Sequence, residues 1–384
     1  LGVIAALIIF LTQADDAEQT LLIAFSTIGL VLVGGWGSLA VANSINSEVA
    51  ERTWDQQRLS VLSPWQMAWG KLLGASIYPW FGGFICAAVV LVCGLMQERP
   101  AQLITFMLTA ILGCLALHCW LMASRLHTLD ANAANNSSST VKRLFGIFLL
   151  LQVGMPGIAL FFASSRSKSS GTEGLWWGLQ MPFSTLSLLM AALFLTLGLL
   201  ALWRTMCKQL MLRNTPWAWA LSCVAVGFIF AGFVETDTTT AAHPWAAMVI
   251  ATALTATYFA LFSEKNNITI WCAVVFHIRQ QAWRRMLQTV PLWPVSLLLA
   301  VLFTLLYLMQ GNRSTFASAE HTYTLLMHSS IWMAVLRTLR DAGIYLFFAW
   351  RNTTRKPAGM ALLTYALLGV VLPLFFGSSP LTAF

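Results

Sequence analysis

Charge is what this chain has least of. Asp, Glu, Lys and Arg make up 9% of its 384 residues, while 58% are hydrophobic; average soluble domains carry roughly 25% and roughly 45–50%. A soluble fold has too little interior to hide that much apolar surface, so composition alone points to a polytopic membrane protein. Long polar segments are missing as well. No polar stretch exceeds a connector, which excludes a separate soluble domain. Enzyme signatures are equally scarce: the sequence holds no HExxH, no GxSxG and no EF-hand loop. Its Gly-Lys pair, Gly70-Lys71, is followed by Leu72 and has Trp65 where a phosphate-binding loop needs Gly. The chain is therefore expected to be no enzyme and to lack ATPase machinery of that kind.

Disulfides and metals are also not expected. Seven cysteines is an odd number, they fall in or beside apolar runs, and they read as small packing residues. Cys114 and His118 share a helix face, but two donors fall short of the three protein ligands that a metal site normally needs.

What is present is a series of apolar runs bounded by charge, Pro or polar clusters. They lie at about 21–43, 72–96, 103–124, 144–163, 181–203, 217–234, 245–262, 291–309, 328–350 and 359–377. Leu1–Leu11 is too short to span, since about 20 apolar residues are needed, and reads as the end of a longer helix that starts before this sequence. The expectation is an all-α transmembrane bundle of about eleven (ten to twelve) spans. The runs are continuously apolar rather than alternating, which excludes a closed barrel.

Lys and Arg set the sides. With 44–71 cytoplasmic, the connectors 125–143, 204–216, 263–290 and 351–358 fall on the same side, and together they carry sixteen of the 22 Lys and Arg residues. The opposite side holds Arg99, Arg166, Lys168 and Arg313, beside acids such as Asp15, Asp16, Glu235 and Asp237. This is the bias of a multi-pass protein in a bacterial-type inner membrane. The net charge of +8 then reflects topology and anionic lipid, not nucleic acid.

The most informative segment is Ser44–Lys71, SINSEVAERTWDQQRLSVLSPWQMAWGK, a polar island between apolar runs. Its order predicts a short charged helix, a break at Ser63-Pro64, and a second helix entering the membrane. Glu48 with Arg52, and Asp55 with Arg58, have helical pair spacing. Ser63 suits an N-cap and Pro64 a first helical residue. Trp65, Trp69 and Lys71 suit the headgroup level, and Gly70 with Gly74 would permit close helix packing. The simpler alternative is an amphipathic connector lying on the lipid surface.

Residues 48–75, EVAERTWDQQRLSVLSPWQMAWGKLLGA, resemble the cytoplasmic connector of type-2 ATP-binding-cassette (ABC) exporter permeases. The matching positions are Glu48, Glu51, Arg52, Thr53, Trp54, Leu59, Leu62, Ser63, Pro64, Gly70 and Lys71. The resemblance implies that helix 48–60 is a coupling helix, with Glu51, Arg52, Trp54 and Asp55 against a separate ATPase subunit and Glu48 and Arg58 at the rim. It places ATP and Mg in that partner, with no cofactor in this chain, and leaves room for a second permease copy. About eleven spans instead of the usual six is a departure from the family pattern. A duplication would explain it: 1–203 as one repeat with coupling helix 44–63, and 217–384 as a second half with an interfacial helix at 268–290. In that helix Trp283, Met286, Leu287 and Val290 oppose Arg279, Gln280, Arg284 and Arg285.

One further cluster stands apart. Arg337, Arg340 and Asp341 interrupt the run 328–350, and charges inside a span are costly enough to imply a function. Either they form a gate or anion contact near mid-membrane, with Arg337 pairing with Asp341, or Arg337 marks the cytoplasmic edge and 342–350 is a short re-entrant or surface helix. The same residues would serve an ATP-independent secondary transporter, the alternative function. An integral-membrane enzyme acting on lipid-linked substrates ranks below both, because the fourteen acids do not gather at one face.

Overall fold

A computed structural model describes residues 17–59, 62–96, 100–132, 173–212, 214–233, 244–264, 266–311, 320–351 and 357–367. Six of its helical segments are long and apolar enough to cross a membrane: Leu21–Ala50, Pro64–Leu95, Pro100–His127, Phe183–Gln209, Trp245–Ser263 and Leu292–Met309. The chain is thus a helical protein with the architecture of a multi-pass membrane protein. The expected count of about eleven spans is not reached among the described residues. Trp217–Ala231 is apolar but only 15 residues long, 328–350 lies in a helix too charged to qualify, and Pro357–Ala366 covers only the start of the expected last span. The expected segments 1–11 and 144–163 lie outside the described residues.

The chain divides into two compact units. The first contains α1 (Ala17–Leu30), a π-helical segment (Val31–Gly37), α2 (Ser38–Ala50), α3 (Thr53–Arg58), α4 (Pro64–Met96), α5 (Pro100–Asn132) and α6 (Phe183–Gln209). Its core gathers Val41 and Ile45 of α2, Trp54 of α3, Met67, Ala68 and Leu72 of α4, Met122 and Leu126 of α5, and Leu202 and Met206 of α6. The polar groups within this unit are tied across helices. Gln209 Nε2 donates to the Leu126 carbonyl at 2.8 Å and Trp120 Nε1 to that of Phe194 at 3.2 Å.

The start of α4 shows why it begins where it does. Ser63 Oγ accepts from the Gln66 N–H at 3.3 Å, and Gln66 Oε1 accepts from the Ser63 N–H at 3.1 Å. This reciprocal cap satisfies two end donors while Pro64 occupies the position that has no donor to lose. At 33 residues, α4 is about 50 Å long. It exceeds the roughly 30 Å hydrocarbon core, so its first turns can stand outside the lipid.

Close packing in this unit is not where the sequence suggested. Among the described residues, a Cβ at Gly70 or Gly74 would meet no neighbouring helix within 4 Å, so the expected seating of a helix on this pair is not seen there. Tight approaches occur instead at Gly83 against Val33, Gly94 against Leu103 and Gly37 against His118. His118 is fully buried and its Nε2 donates to the Val33 carbonyl at 2.9 Å, inside the π segment. A carbonyl only accepts, so Nε2 carries the proton. The α-to-π change alters the local backbone ladder, and the imidazole supplies a donor there.

The second unit contains α7 (Trp217–Ala231), α8 (Pro244–Ser263), α9 (Ile268–Arg279), α10 (Trp283–Thr289), α11 (Leu292–Gly311), α12 (Glu320–Trp350) and α13 (Pro357–Ala366). Here α8 is central, packing on α7, α11 and α12. Gly227 brings α7 onto α8: a Cβ there would lie 2.6 Å from the Val249 backbone Cα. Thr257 Oγ1 donates to Ser296 Oγ at 2.9 Å, joining α8 to α11. The all-α expectation needs one amendment, a β-hairpin of β1 (Glu173–Trp176) and β2 (Leu179–Pro182). Within the second unit Trp177 at its turn donates its N–H to the Gly232 carbonyl at 2.8 Å and stacks on Phe228, which stacks in turn on Trp245.

The expected continuous interfacial helix 268–290 is instead two helices. α9 ends at Arg279, Gln281 takes the left-handed conformation (φ 53°), and α10 starts at Trp283.

Candidate functional site

The polar island folds as an elbow. α2 carries the first membrane segment on to Ala50, so Glu48 belongs to the last turn of that long helix. The chain then turns through Glu51 and Arg52, with Arg52 in the left-handed region at φ 60°, and α3 covers only Thr53–Arg58. The expected helix 48–60 is therefore broken. The break separates Glu48 from Arg52, whose expected pairing is not among the salt bridges formed.

Glu48 pairs instead with Lys71, in the second turn of α4. The Lys71 ammonium donates to the Glu48 carboxylate and to the Gln57 side-chain oxygen, and it stands over the Trp54 ring, 4.9 Å from its centroid. One cation thus binds the end of α2, the start of α4 and the short helix between them. The pair is poorly solvated, with the two side chains 10% and 22% exposed. At that burial a single-sided loss costs more than at an open surface ion pair. Thr53 Oγ1 adds a bond to the Glu48 carbonyl at 3.2 Å.

Trp54 is 5% exposed and belongs to the core. A role as direct anchor for a partner does not fit this burial: its ring is spent on fixing α3 to α2, α4 and α6. What the elbow presents outward is Glu51, Arg52, Asp55, Gln56 and Leu59. Asp55 and Arg58 do pair, at 3.6 Å, with Asp55 largely exposed and Arg58 half-buried. Beside them lies a feature not legible in the island alone. Leu210 and Met211, from the end of α6, line a shallow depression with Asp55, Arg58 and Leu59. Leu59 and Met211 are 86% and 81% exposed. The result is a small apolar floor with an acid and a base on its rim.

The second cluster lies in the other unit. α12 runs unbroken from Glu320 to Trp350, 31 residues or about 46 Å, so 342–350 is not a separate re-entrant or surface helix. Arg340, rather than Arg337 at the expected spacing, is the cation described against Asp341. Its Oδ1 accepts from Arg340 Nε and Nη2 at 3.0 and 2.9 Å, and its Oδ2 from the Tyr258 hydroxyl at 2.7 Å. Tyr365 of α13 donates to the Asp341 backbone carbonyl at 2.6 Å. Tyr258 stands five residues, about 8 Å along the axis, before the end of α8 at Ser263, and its hydroxyl holds Asp341 near that end of the helix. Just beyond α8, Asn266 accepts from Trp293 Nε1 at 3.0 Å and donates to the Leu261 carbonyl at 2.9 Å, while Glu264 caps the Leu292 N–H at 2.7 Å. Tyr258, Tyr365 and Asn266 were not singled out from sequence. An isolated Tyr or Asn in an apolar run gives no sign of the carboxylate or indole it will face.

Among the described residues no three His, Cys, Asp or Glu side chains gather as a metal centre. Comparison with protein-family models, with curated proteins and with solved structures finds no match.

Proposed function

We propose that the chain is the membrane-spanning permease subunit of an ABC exporter in a bacterial-type inner membrane. Hydrolysis of ATP, with Mg, would occur in a separate cytoplasmic ATPase subunit. The observation that carries this reading is the elbow. A helix of six residues is held through Trp54 and Lys71 to the ends of two long helices, and its charged edge is left exposed. A force applied to α3 passes into α2 and α4 through buried contacts instead of dissipating in a loop. Exposed charges at such an edge orient a partner more than they add affinity. The docking surface on this reading is Glu51, Arg52 and Asp55 with Leu59 and Met211, and Arg58 at the rim. Glu48 and Trp54 act behind it.

The test is subunit capture and ATPase stimulation with purified chain and the ATPase encoded beside it. Glu51→Lys and Asp55→Lys should lower both at least tenfold while leaving membrane insertion and thermal stability unchanged. Wild-type capture by both variants, or transport by the chain with no ATP-binding subunit present, overturns the proposal.

A gradient-driven carrier is the second reading, favoured by the buried Arg340–Asp341–Tyr258 cluster. It requires a carboxylate free to change partners, whereas both Asp341 oxygens are engaged. Uptake into proteoliposomes under a proton or sodium gradient alone would select it.

A further inference from the structure

α9 and α10 carry two exposed surfaces of different character. On α9, Ile268, Val275 and Phe276 are exposed and apolar, while Trp271 and Val274 turn inward, Trp271 against Trp293 at 5.8 Å between ring centroids. On α10, Trp283 and Leu287 are exposed at 57% and 43%. At the elbow between them stand Arg279, Arg284 and Arg285, all exposed. Among the described residues none of the three has an ion pair or hydrogen bond to another side chain. The chain therefore sets three unneutralised guanidinium groups beside an indole and a row of aliphatic side chains. The Lys and Arg bias of the sequence puts this connector, which follows α8 in the chain, on the cytoplasmic side.

We propose that this elbow is a binding site for anionic phospholipid of the cytoplasmic leaflet. The arginines would take the headgroup phosphate, and Trp283, Phe276 and Leu287 the glycerol and upper acyl region. The argument is complementarity of charge and polarity together. Guanidinium forks match phosphate oxygens, exposed Trp belongs at the headgroup level, and a helix apolar on its outer face and basic at one end lies in the interface. A soluble anion accounts for the arginines alone and leaves the exposed Trp283, Phe276 and Ile268 with nothing apolar to face. This inference rests on the membrane architecture and is independent of any ATPase partner.

The experiment is native mass spectrometry of the full chain, delipidated in detergent and titrated with phosphatidylglycerol or phosphatidylcholine. Wild-type protein should retain phosphatidylglycerol at least tenfold more tightly, since each basic residue near a surface adds about fivefold. The triple variant R279Q/R284Q/R285Q should lose most of that preference, and the triple Arg→Lys variant should keep a reduced part of it. Matching thermal midpoints of wild type and triple Gln variant in phosphatidylcholine would establish that the fold is intact. Equal retention of the two lipids by wild type overturns the proposal, as does an undiminished preference in the triple Gln variant. Full displacement of phosphatidylglycerol by millimolar inorganic phosphate also overturns it, because the site would then be one for a soluble anion.

Discussion

Lys71 reaches back 23 residues to the carboxylate of Glu48, and in doing so closes the elbow that holds α3. The contact joins the last turn of one long helix to the second turn of the next, and it is made beneath the face that the charged edge of α3 presents. Removing either partner leaves a poorly solvated charge. Lys71→Met and Glu48→Gln should each destabilise the chain by about 1–3 kcal/mol. The double variant should cost less than the sum of the two, giving a coupling term in a double-mutant cycle. Denaturant titration in detergent checks this, and strict additivity would mean that the pair is incidental.

Arg52 occupies a backbone conformation that costs a residue with a Cβ roughly 1–2 kcal/mol. Arg52→Gly should therefore leave the thermal midpoint unchanged or raise it, while Arg52→Val should lower it. If Arg52 also meets the ATPase, the Gly variant separates the two roles by folding at least as well as wild type and binding the partner less. A Gly variant that loses stability would show that the side chain, not the turn, is what matters there.

Trp54→Ala opens a cavity where α2, α3, α4 and α6 meet and removes the ring beneath Lys71. A loss of about 3–5 kcal/mol is expected. Any loss of ATPase stimulation should then be proportional to unfolding and be partly restored by Trp54→Phe. An Ala variant with wild-type stability but no partner binding would return Trp54 to the interface.

Two glycine substitutions should behave oppositely. Gly227→Ala drives a methyl against the Val249 backbone, which cannot swing aside, and should cost about 1–3 kcal/mol. Gly70→Ala meets nothing among the described residues and should gain up to about 1 kcal/mol from helix propensity. Thermal unfolding of both variants in one detergent decides the matter. A destabilised Gly70→Ala would reveal a close neighbour beyond the described residues.

Tyr258→Phe removes a hydrogen bond to a buried carboxylate and should cost about 1.5–3 kcal/mol. Asp341→Ala should cost more, because it removes the ion pair with Arg340 and the acceptor of Tyr258 together. Asp341→Asn separates the two readings of the cluster. A tie between helices tolerates it with a modest stability loss and retained transport, whereas an ion relay keeps its stability and loses transport.

Class and several helix starts could be taken from the sequence because each is a local or additive property. Low charge and high apolar content are sums over the chain, and the Ser63-Pro64 cap lies within four consecutive residues. Pairings between helices were another matter. The four-residue rule pairs Glu48 with Arg52, and Arg337 with Asp341. The backbone turn at Glu51-Arg52 broke the first pair, while Arg340 and Tyr258 took the carboxylate of the second. Nor was it legible that Trp54 turns inward or that close packing falls at Gly37 and Gly83 instead of Gly70 and Gly74. A helix meant for lipid is apolar on every side, so its periodicity does not mark the face that meets protein. That face is selected when the helices pack, by where small residues admit a neighbour and where an isolated polar group finds its partner.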